Sequence, residues 1–559
     1  MSHAVARRRA DRPPRGIDFH HPAAFWAGAL AITAGVVLHL PDYVSARDMY
    51  YHLAGMPMTR MMLFGMFLIV TGFVLATWGL LPRAGTAAER QAARVAPRYH
   101  FRSIDDAALT SAHWGLLFVL GVALIIDVMK PATLGFVLPG MSAEYEISKA
   151  MGAWLLLCAL AGTTIGSVFW GVMADRMGRR AAILLASLMF MGTAICGTMP
   201  DFGWNLLMCF LMGAAAGGML PIVYALMAES VPAKRRGWLV VLHGGMGTVG
   251  GTLAAAGFAA LLEPHFSWRI LWLLNLPTGV IMLFLNRWIP ESPRFLLERG
   301  RNDDAKKVMA RYGVVLEEME HVGRNEEIER PGSHHAEMGK LFRGPFLTQT
   351  TVVLLYGLAW GLVNWGFIAF LPTFLRSAGF GAGAASFLLF LSALIAIPGT
   401  VLVAYAYGMW SSRKSMAAYA VATVACLLGL AALDPAPGDN RFLLVGLLAL
   451  LFVTSGGVIS MLSPYTAEVY PTRLRGTGSG LSAGSSKLGG LIGGIGSVTG
   501  LIGIATGMVG PAVLVSIPMA VAAVVVGTRG LETRGRRLEE IADQQADATR
   551  DRSRASPAG

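Results

Sequence analysis

Long apolar runs alternate with short polar segments along almost the whole chain. Runs such as 25–40, 61–81 and 181–199 approach or exceed the ~20 residues that an α-helix needs to cross a bilayer. The pattern predicts about fourteen such spans and therefore an all-α polytopic membrane protein. The composition agrees, because only 14% of the 559 residues are charged and the mean hydropathy is +0.55.

The longer polar segments divide the predicted spans into three groups. The stretch 289–346 is too charged to span a membrane and predicts short cytosolic helices. The predicted division is a basic amino terminus 1–22, an extra transmembrane hairpin 23–82, a cytosolic linker 83–108, a six-helix bundle 109–288, a second linker 289–346, a second six-helix bundle 347–528, and a cytosolic tail 529–559 with a disordered end.

The net charge of +12 has a membrane explanation. Lysine and arginine concentrate in alternate short loops, as the positive-inside rule predicts. We therefore expect a protein of the bacterial inner membrane with both termini in the cytoplasm. The same distribution argues against a nucleic-acid partner. The four cysteines lie in apolar runs without ligand-like spacing, and no catalytic constellation is evident. We therefore expect no metal, no cofactor and no enzymatic activity.

The two six-span blocks are related in sequence. The segments "AESVPAKRRG" (228–237) and "AEVYPTRLRG" (467–476) align Glu229 with Glu468 and Arg236 with Arg475. Parallel repeats of this kind are typical of transporters whose substrate lies between the halves near mid-membrane. Repeats also occur in membrane proteins that do not transport.

Three cytosolic motifs carry a family resemblance. The segment "GVMADRMGRR" (171–180) resembles the loop signature of the major facilitator superfamily, and "PESPRFLLERGR" (290–301) and "GLETRGRRLEEI" (530–541) resemble its sugar-porter, organic-ion and aromatic-acid branches. The resemblance implies the superfamily fold, with a charge network that gates the cytosolic side. The gating residues it implies are Asp175, Arg179, Arg180, Glu229, Arg236, Glu291, Arg294, Glu468, Arg475 and Glu532. The second block's counterpart of the first motif, 404–415, lacks the aspartate.

Lys487 is a charge inside a predicted span. It lies about eleven residues, or ~16 Å, beyond Gly476, which is close to the midplane of a ~30 Å hydrocarbon core. A charge there costs at least ~2.5–3.5 kcal/mol on insertion scales and usually faces a polar cavity or partner. The segment "SSKLGG" also matches the place where organic-anion transporters of the family carry arginine, which implies an anionic substrate. The alternative is a structural ion pair.

Asp127 and Lys130 form a second candidate site, within "IIDVMKPATLGFVLPG" (125–140). They are three residues apart and so share one helix face. The segment resembles an Asp-Gly-x-Asp motif of aromatic-acid–proton symporters, with lysine in place of the second acid. The resemblance makes Asp127 a candidate proton-coupling residue that lies with Lys130 in the substrate site. A fixed ion pair beside Pro131 is the alternative.

The first span of the second six-helix bundle contains aromatic candidates for the substrate site. Tyr356, Trp360 and Asn364 recur at four-residue spacing, with Trp365 adjacent, so they could line a pocket for a flat anion. Ordinary helix packing is the alternative. His243 is predicted to be a core histidine.

The combined hypothesis is a secondary-active transporter that moves a small organic anion, such as an aromatic carboxylate, by alternating access with proton coupling. A sugar or polyol porter and a drug exporter are alternatives within the superfamily. A non-transporting receptor or assembly subunit is the alternative from another class.

Overall fold

The computed structural model describes residues 19–81, 99–100, 109–298, 301–313, 317–318, 341–433, 440–470, 472–500 and 507–534. Twelve helices of these residues are long and apolar enough to cross a membrane, which confirms the all-α polytopic class. The count of fourteen spans stays a prediction. One short antiparallel pairing departs from the helical pattern, where β1 (Tyr99–His100) meets β2 (Glu317–Glu318).

The first described helices are α1 (Pro22–Val37), α2 (Leu40–Ser45) and α3 (Arg60–Leu80). Helices α1 and α3 pack antiparallel and very closely, because glycines face each other. A Cβ on Gly72 would lie 2.7 Å from the carbonyl oxygen of Gly28, so only glycine fits. That this pair forms an additional transmembrane hairpin stays a prediction.

The amino-terminal half follows the first linker and includes a span that is broken at a pair of glycines. Its helices are α4 (Ser111–Glu144), α5 (Lys149–Met177), α6 (Arg179–Gly192), α7 (Phe202–Ala216), α8 (Met219–Ser230), α9 (Ala233–Phe266), α10 (Ile270–Leu273) and α11 (Asn275–Leu285). The apolar stretch 203–228, which is long enough for a single span, forms two helices, α7 and α8, which meet at Gly217 and Gly218. The corresponding glycines of the second half, Gly456 and Gly457, lie inside one continuous helix, Arg441–Val469.

The second linker contains short helices, as expected. They are α12 (Pro293–Glu298) and α13 (Asn302–Arg311). Helix α13 is charged on its outer face, where Arg301 and Asp304 form an ion pair of 2.8 Å.

The carboxy-terminal half repeats the arrangement. Its helices are α14 (Leu347–Gly366), α15 (Leu371–Ser377), α16 (Ala382–Tyr405), α17 (Ser412–Leu433), α18 (Arg441–Val469), α19 (Thr472–Val498) and α20 (Val509–Arg529). The apolar stretch 347–375 likewise forms two helices, with a 3-10 turn at Ile368–Phe370 between α14 and α15.

The two halves meet along several helices. Helix α9 packs against α16 and α18, and α5 packs against α19. Helices α4, α9 and α14 begin near the charged motifs and run to the opposite side. We call the end with Arg179, Glu291 and Glu532 the motif end, and the end with Glu144 and Ser377 the far end.

Candidate site between the two halves

Asp127 and Lys130 are buried together in the middle of α4. Each is only 2% exposed, and the Lys130 Nζ lies 3.8 Å from the Asp127 Oδ1. The ammonium group also lies 3.4 Å from the centre of the Phe190 ring on α6, a favourable cation–π contact. Lys130 therefore points into the amino-terminal half, where an ion pair and an aromatic ring stabilise its charge.

Lys487 connects the halves at the same site. It lies near the middle of α19, and its Nζ donates a hydrogen bond of 3.3 Å to the Thr163 carbonyl on α5. Its charge also acts electrostatically on the Asp127 carboxylate, as does that of Lys130. One carboxylate and two ammonium groups from opposite halves therefore interact electrostatically at this site.

The aromatic candidates of α14 divide between two environments. Trp365 lies beside α19, because a Cβ on Gly490 would be 2.7 Å from its ring. Trp360 and Asn364 are half-buried on the adjacent face, and the Trp360 indole nitrogen has no hydrogen-bond partner among the described residues. Tyr356 is different. It is fully buried and donates to the Met416 carbonyl at 3.0 Å, so the structure places it in the carboxy-terminal core.

One residue of the site carried no sequence motif. Tyr224 on α8 interacts electrostatically with Asp127. Its hydroxyl lies where α9 meets α18, since a Cβ on Gly244 would be 2.9 Å from both the Tyr224 hydroxyl and the Ser460 Cβ. The signal available in the sequence was a lone tyrosine in the apolar segment "LPIVYALM". It became informative only once α8 was placed beside α4.

His243 lies in the packed interior of α9. Its Nε2 is 2.9 Å from the Leu117 carbonyl, and its Nδ1 is 3.1 Å from the Leu239 carbonyl. Both ring nitrogens therefore face backbone carbonyls, and a neutral imidazole can donate to one of them. This interior position agrees with the predicted core histidine.

At the motif end, Glu291 caps the amino terminus of α6. Its carboxylate accepts from the backbone N–H of Arg179 at 2.9 Å and of Arg180 at 3.3 Å. A helix amino terminus is a favourable place for an anion. Burial raises the pKa of Glu291, although these N–H groups favour its charged form. Gly178 makes the contact possible, because a Cβ there would be 2.5 Å from the Glu291 Oε2.

Glu532 caps a helix amino terminus in the second half, as Glu291 does in the first. Its carboxylate accepts from the Ser412 backbone N–H at 2.9 Å and from the Ser412 hydroxyl at 2.7 Å, at the start of α17. Burial opposes the charged form, but these hydrogen bonds and one from Ser411 outweigh it and lower the pKa of Glu532.

Glu468 is the gating candidate that faces both halves. It accepts from the hydroxyls of Tyr407 at 2.8 Å and Thr533 at 2.6 Å. A Cβ on Gly237 of α9 would lie 3.2 Å from its Oε1. Arg180, another candidate, donates to both the carbonyl and the side-chain oxygen of Asn286 at 3.0 Å. The remaining candidate side chains, which lie outside those described, are Asp175, Glu229, Arg236, Arg294 and Arg475.

The paired helical halves with charges buried between them define a class of membrane transport protein. The family model of the Major Facilitator Superfamily matches residues 114–494, so the chain belongs to this superfamily. It is accordingly a membrane transporter and not an enzyme.

Relatives extend over most of the chain. It is 25% identical over 446 residues to the niacin transporter NiaP of Acinetobacter baylyi, covering 78% of this chain and 98% of NiaP. It is 27% identical over 442 residues to the 4-hydroxybenzoate transporter PcaK of the same organism, covering 77% and 93%. The solved proton:xylose symporter XylE shares the fold, with a TM-score of 0.61 and 17% identity over 78% of this chain and 100% of XylE.

Proposed function

We propose that the protein moves a small aromatic monocarboxylate across the bacterial plasma membrane by alternating access, coupled to protons. The observation that carries this proposal is Lys487, a half-buried ammonium group that reaches from one half to a carbonyl of the other. A buried charge at such a place is usually functional. Its position between the halves is where transporters of this architecture bind substrate.

The charges of the site favour a monoanion. Asp127, Lys130 and Lys487 together carry one net positive charge when all are ionised. A single carboxylate on the substrate neutralises this charge, whereas a dicarboxylate would leave an excess negative charge in a poorly solvated place. Niacin and 4-hydroxybenzoate, which name two relatives, both carry one carboxyl group on one aromatic ring.

The aromatic part of the substrate has suitable neighbours. Trp365 lies within one turn of Lys487 across the α14–α19 contact. The Trp360 N–H is a buried donor with no acceptor among the described residues. Apolar rings with a few placed polar groups are typical of small-ligand sites.

Asp127 supplies a physical route to proton coupling. Protonation of its carboxylate raises the net charge of the three-residue site from one to two positive charges. The anion is then attracted more strongly, so proton and anion bind cooperatively. Release of both on the other side follows from the same linkage.

Uptake into proteoliposomes tests the proposal. Purified protein is reconstituted, a pH gradient acid outside is imposed, and uptake of labelled nicotinate and 4-hydroxybenzoate is measured. We expect uptake by the unaltered protein and its loss in Lys487→Ala, with partial activity in Lys487→Arg, which keeps the charge but not its compact shape. Lys307→Ala, an exposed lysine of α13, is the matched control. Unchanged uptake by correctly folded Lys487→Ala would reject the site, and xylose uptake without anion uptake would favour a sugar porter.

A further inference from the structure

At the far end, charged side chains join the two halves directly. The Arg376 Nη2 of α15 lies 2.5 Å from the Glu263 Oε1 of α9, with side-chain exposures of 18% and 7%. Helix α9 belongs to the amino-terminal half and α15 to the carboxy-terminal half. This ion pair therefore cannot survive a separation of the halves at this end.

A second contact reinforces the same segment. The Lys149 Nζ, at the start of α5, donates to the Ser377 hydroxyl at 2.9 Å. A Cβ on Gly383 would lie 3.5 Å from the ring of Pro264, so α16 also approaches the end of α9. Residues 376 and 377 are thus held by two different helices of the opposite half.

The geometry of the Glu263–Arg376 pair suits a contact that forms and breaks. Glu263 Oε2 and Arg376 Nε have no hydrogen-bond partner among the described residues, so the pair is joined through one oxygen and one nitrogen. Arg376 is partly exposed, and water can solvate the separated charges when the end opens. Glu263 is buried, so the cost of desolvating its carboxylate offsets much of the attraction within the pair, which is compatible with repeated opening.

A neighbouring ion pair at the same end is built differently. The Arg269 Nη2 lies 2.6 Å from the Glu144 Oε1, and both residues belong to the amino-terminal half. Glu144 also accepts from the Trp268 indole and from the backbone N–H of Leu53. This cluster joins the α2–α3 connection to the amino-terminal half, and the contacts named here do not involve the carboxy-terminal half.

We propose that Glu263 and Arg376, supported by Lys149 and Ser377, form an ion-pair latch that closes the far end of the transporter. The latch must break each time the substrate site opens to that side. The proposal rests on the alternating access proposed above, but it does not depend on which solute is carried.

Distances between spin labels test the latch. Labels are attached at Ala150 and Ala384, exposed positions in opposite halves at the far end, in a background without native cysteines. Double electron–electron resonance on full-length protein in nanodiscs then gives the distance distribution. We expect Glu263→Gln and Arg376→Gln to raise the ratio of long to short distances roughly three- to tenfold. The swap of Glu263→Arg with Arg376→Glu restores the short distance.

Glu144→Gln is the matched control, because it removes a carboxylate of the same end without touching the contact between halves. It should lower the melting temperature and leave the distances unchanged. If Glu263→Gln cannot be purified, Arg376→Gln combined with Ser377→Ala replaces it with the same expectation. Unchanged distances in the latch variants, or an equal shift in Glu144→Gln, would overturn the latch. If the unaltered protein takes up no aromatic anion, the proposed substrate is rejected, but the distances expected for the latch variants do not change.

Discussion

Lys487 links the two halves, because its ammonium group in α19 donates to the Thr163 carbonyl of α5. The charge of Asp127 acts on the same ammonium group, and the depth of Lys487 in a glycine-rich span predicted a polar partner of this kind. Lys130 was expected beside Asp127 and is there. Its contact with Phe190 could not be predicted, because nothing in the sequence relates α4 to that position of α6.

Asp127→Asn should remove the pH dependence of anion binding. The amide resembles the protonated carboxyl group, so the site carries two positive charges without an opposing carboxylate wherever both lysines are protonated. We expect the apparent affinity for 4-hydroxybenzoate at neutral pH to rise about tenfold, with proton-driven uptake lost and counterflow exchange retained. Titration calorimetry at several pH values measures the affinity. Equal loss of uptake and counterflow would indicate a structural ion pair instead.

Gly178→Ala should destabilise the motif end. Gly178 has φ of +97°, which disfavours any residue with a Cβ, and its Cβ would press on the Glu291 carboxylate. We expect a loss of about 1–3 kcal/mol, seen as a lower melting temperature. Gly171→Ala is the control, because an added Cβ at this nearby position meets nothing within 4 Å. It should lower the melting temperature much less.

At the scale of helices, close packing of α14 on α19 positions Lys487. A Cβ on Gly493 would lie 3.1 Å from the Gly366 backbone nitrogen, and one on Gly489 would meet the Leu358 backbone. Small residues permit such approach in membrane helices. The glycine-rich segment around Lys487 is therefore explained by close helix packing.

Gly489→Ala and Gly484→Ala form a matched pair for this packing. The first inserts a methyl group against the Leu358 backbone, whereas the second meets nothing within 4 Å. We expect Gly489→Ala to push α19 from α14, to lower the melting temperature and to reduce anion uptake several-fold. Gly484→Ala should behave like the unaltered protein. Similar uptake and stability in the two variants would contradict a positioning role for this contact.

Helix existence was predictable along this chain, but helix breaks were not. The runs of apolar residues locate the spans, yet the hydropathy of 203–228 and 347–375 does not show that each divides into two helices. The glycine pair at 217–218 does not by itself predict a break, because its counterpart at 456–457 lies within the continuous helix α18.

The environment of Tyr356 could not be predicted either. Spacing alone groups Tyr356 with Trp360, whereas the position of α17 determines that the Tyr356 hydroxyl donates to the Met416 carbonyl.

For the whole molecule, each half keeps its own charged cap at the motif end. Glu291 binds the start of α6, and Glu532 binds the start of α17. The repeat seen in the sequence thus corresponds to a repeated capping arrangement. Contacts that cross between the halves include Lys487 in the middle and the Glu263–Arg376 pair at the far end, and Gly237 approaches Glu468 at the motif end. Contacts at these three levels suit two bodies that move against each other around a central site.

The proposed function requires a positive site between the halves that selects a monoanionic aromatic solute. Counterflow exchange in proteoliposomes without any ion gradient tests this selectivity, with labelled benzoate compared with benzamide, its neutral analogue of nearly equal shape. We expect saturable exchange of benzoate, little exchange of benzamide, and loss of this discrimination in Lys487→Ala. Equal exchange of both solutes by the unaltered protein, or benzoate exchange that survives in folded Lys487→Ala, would contradict it.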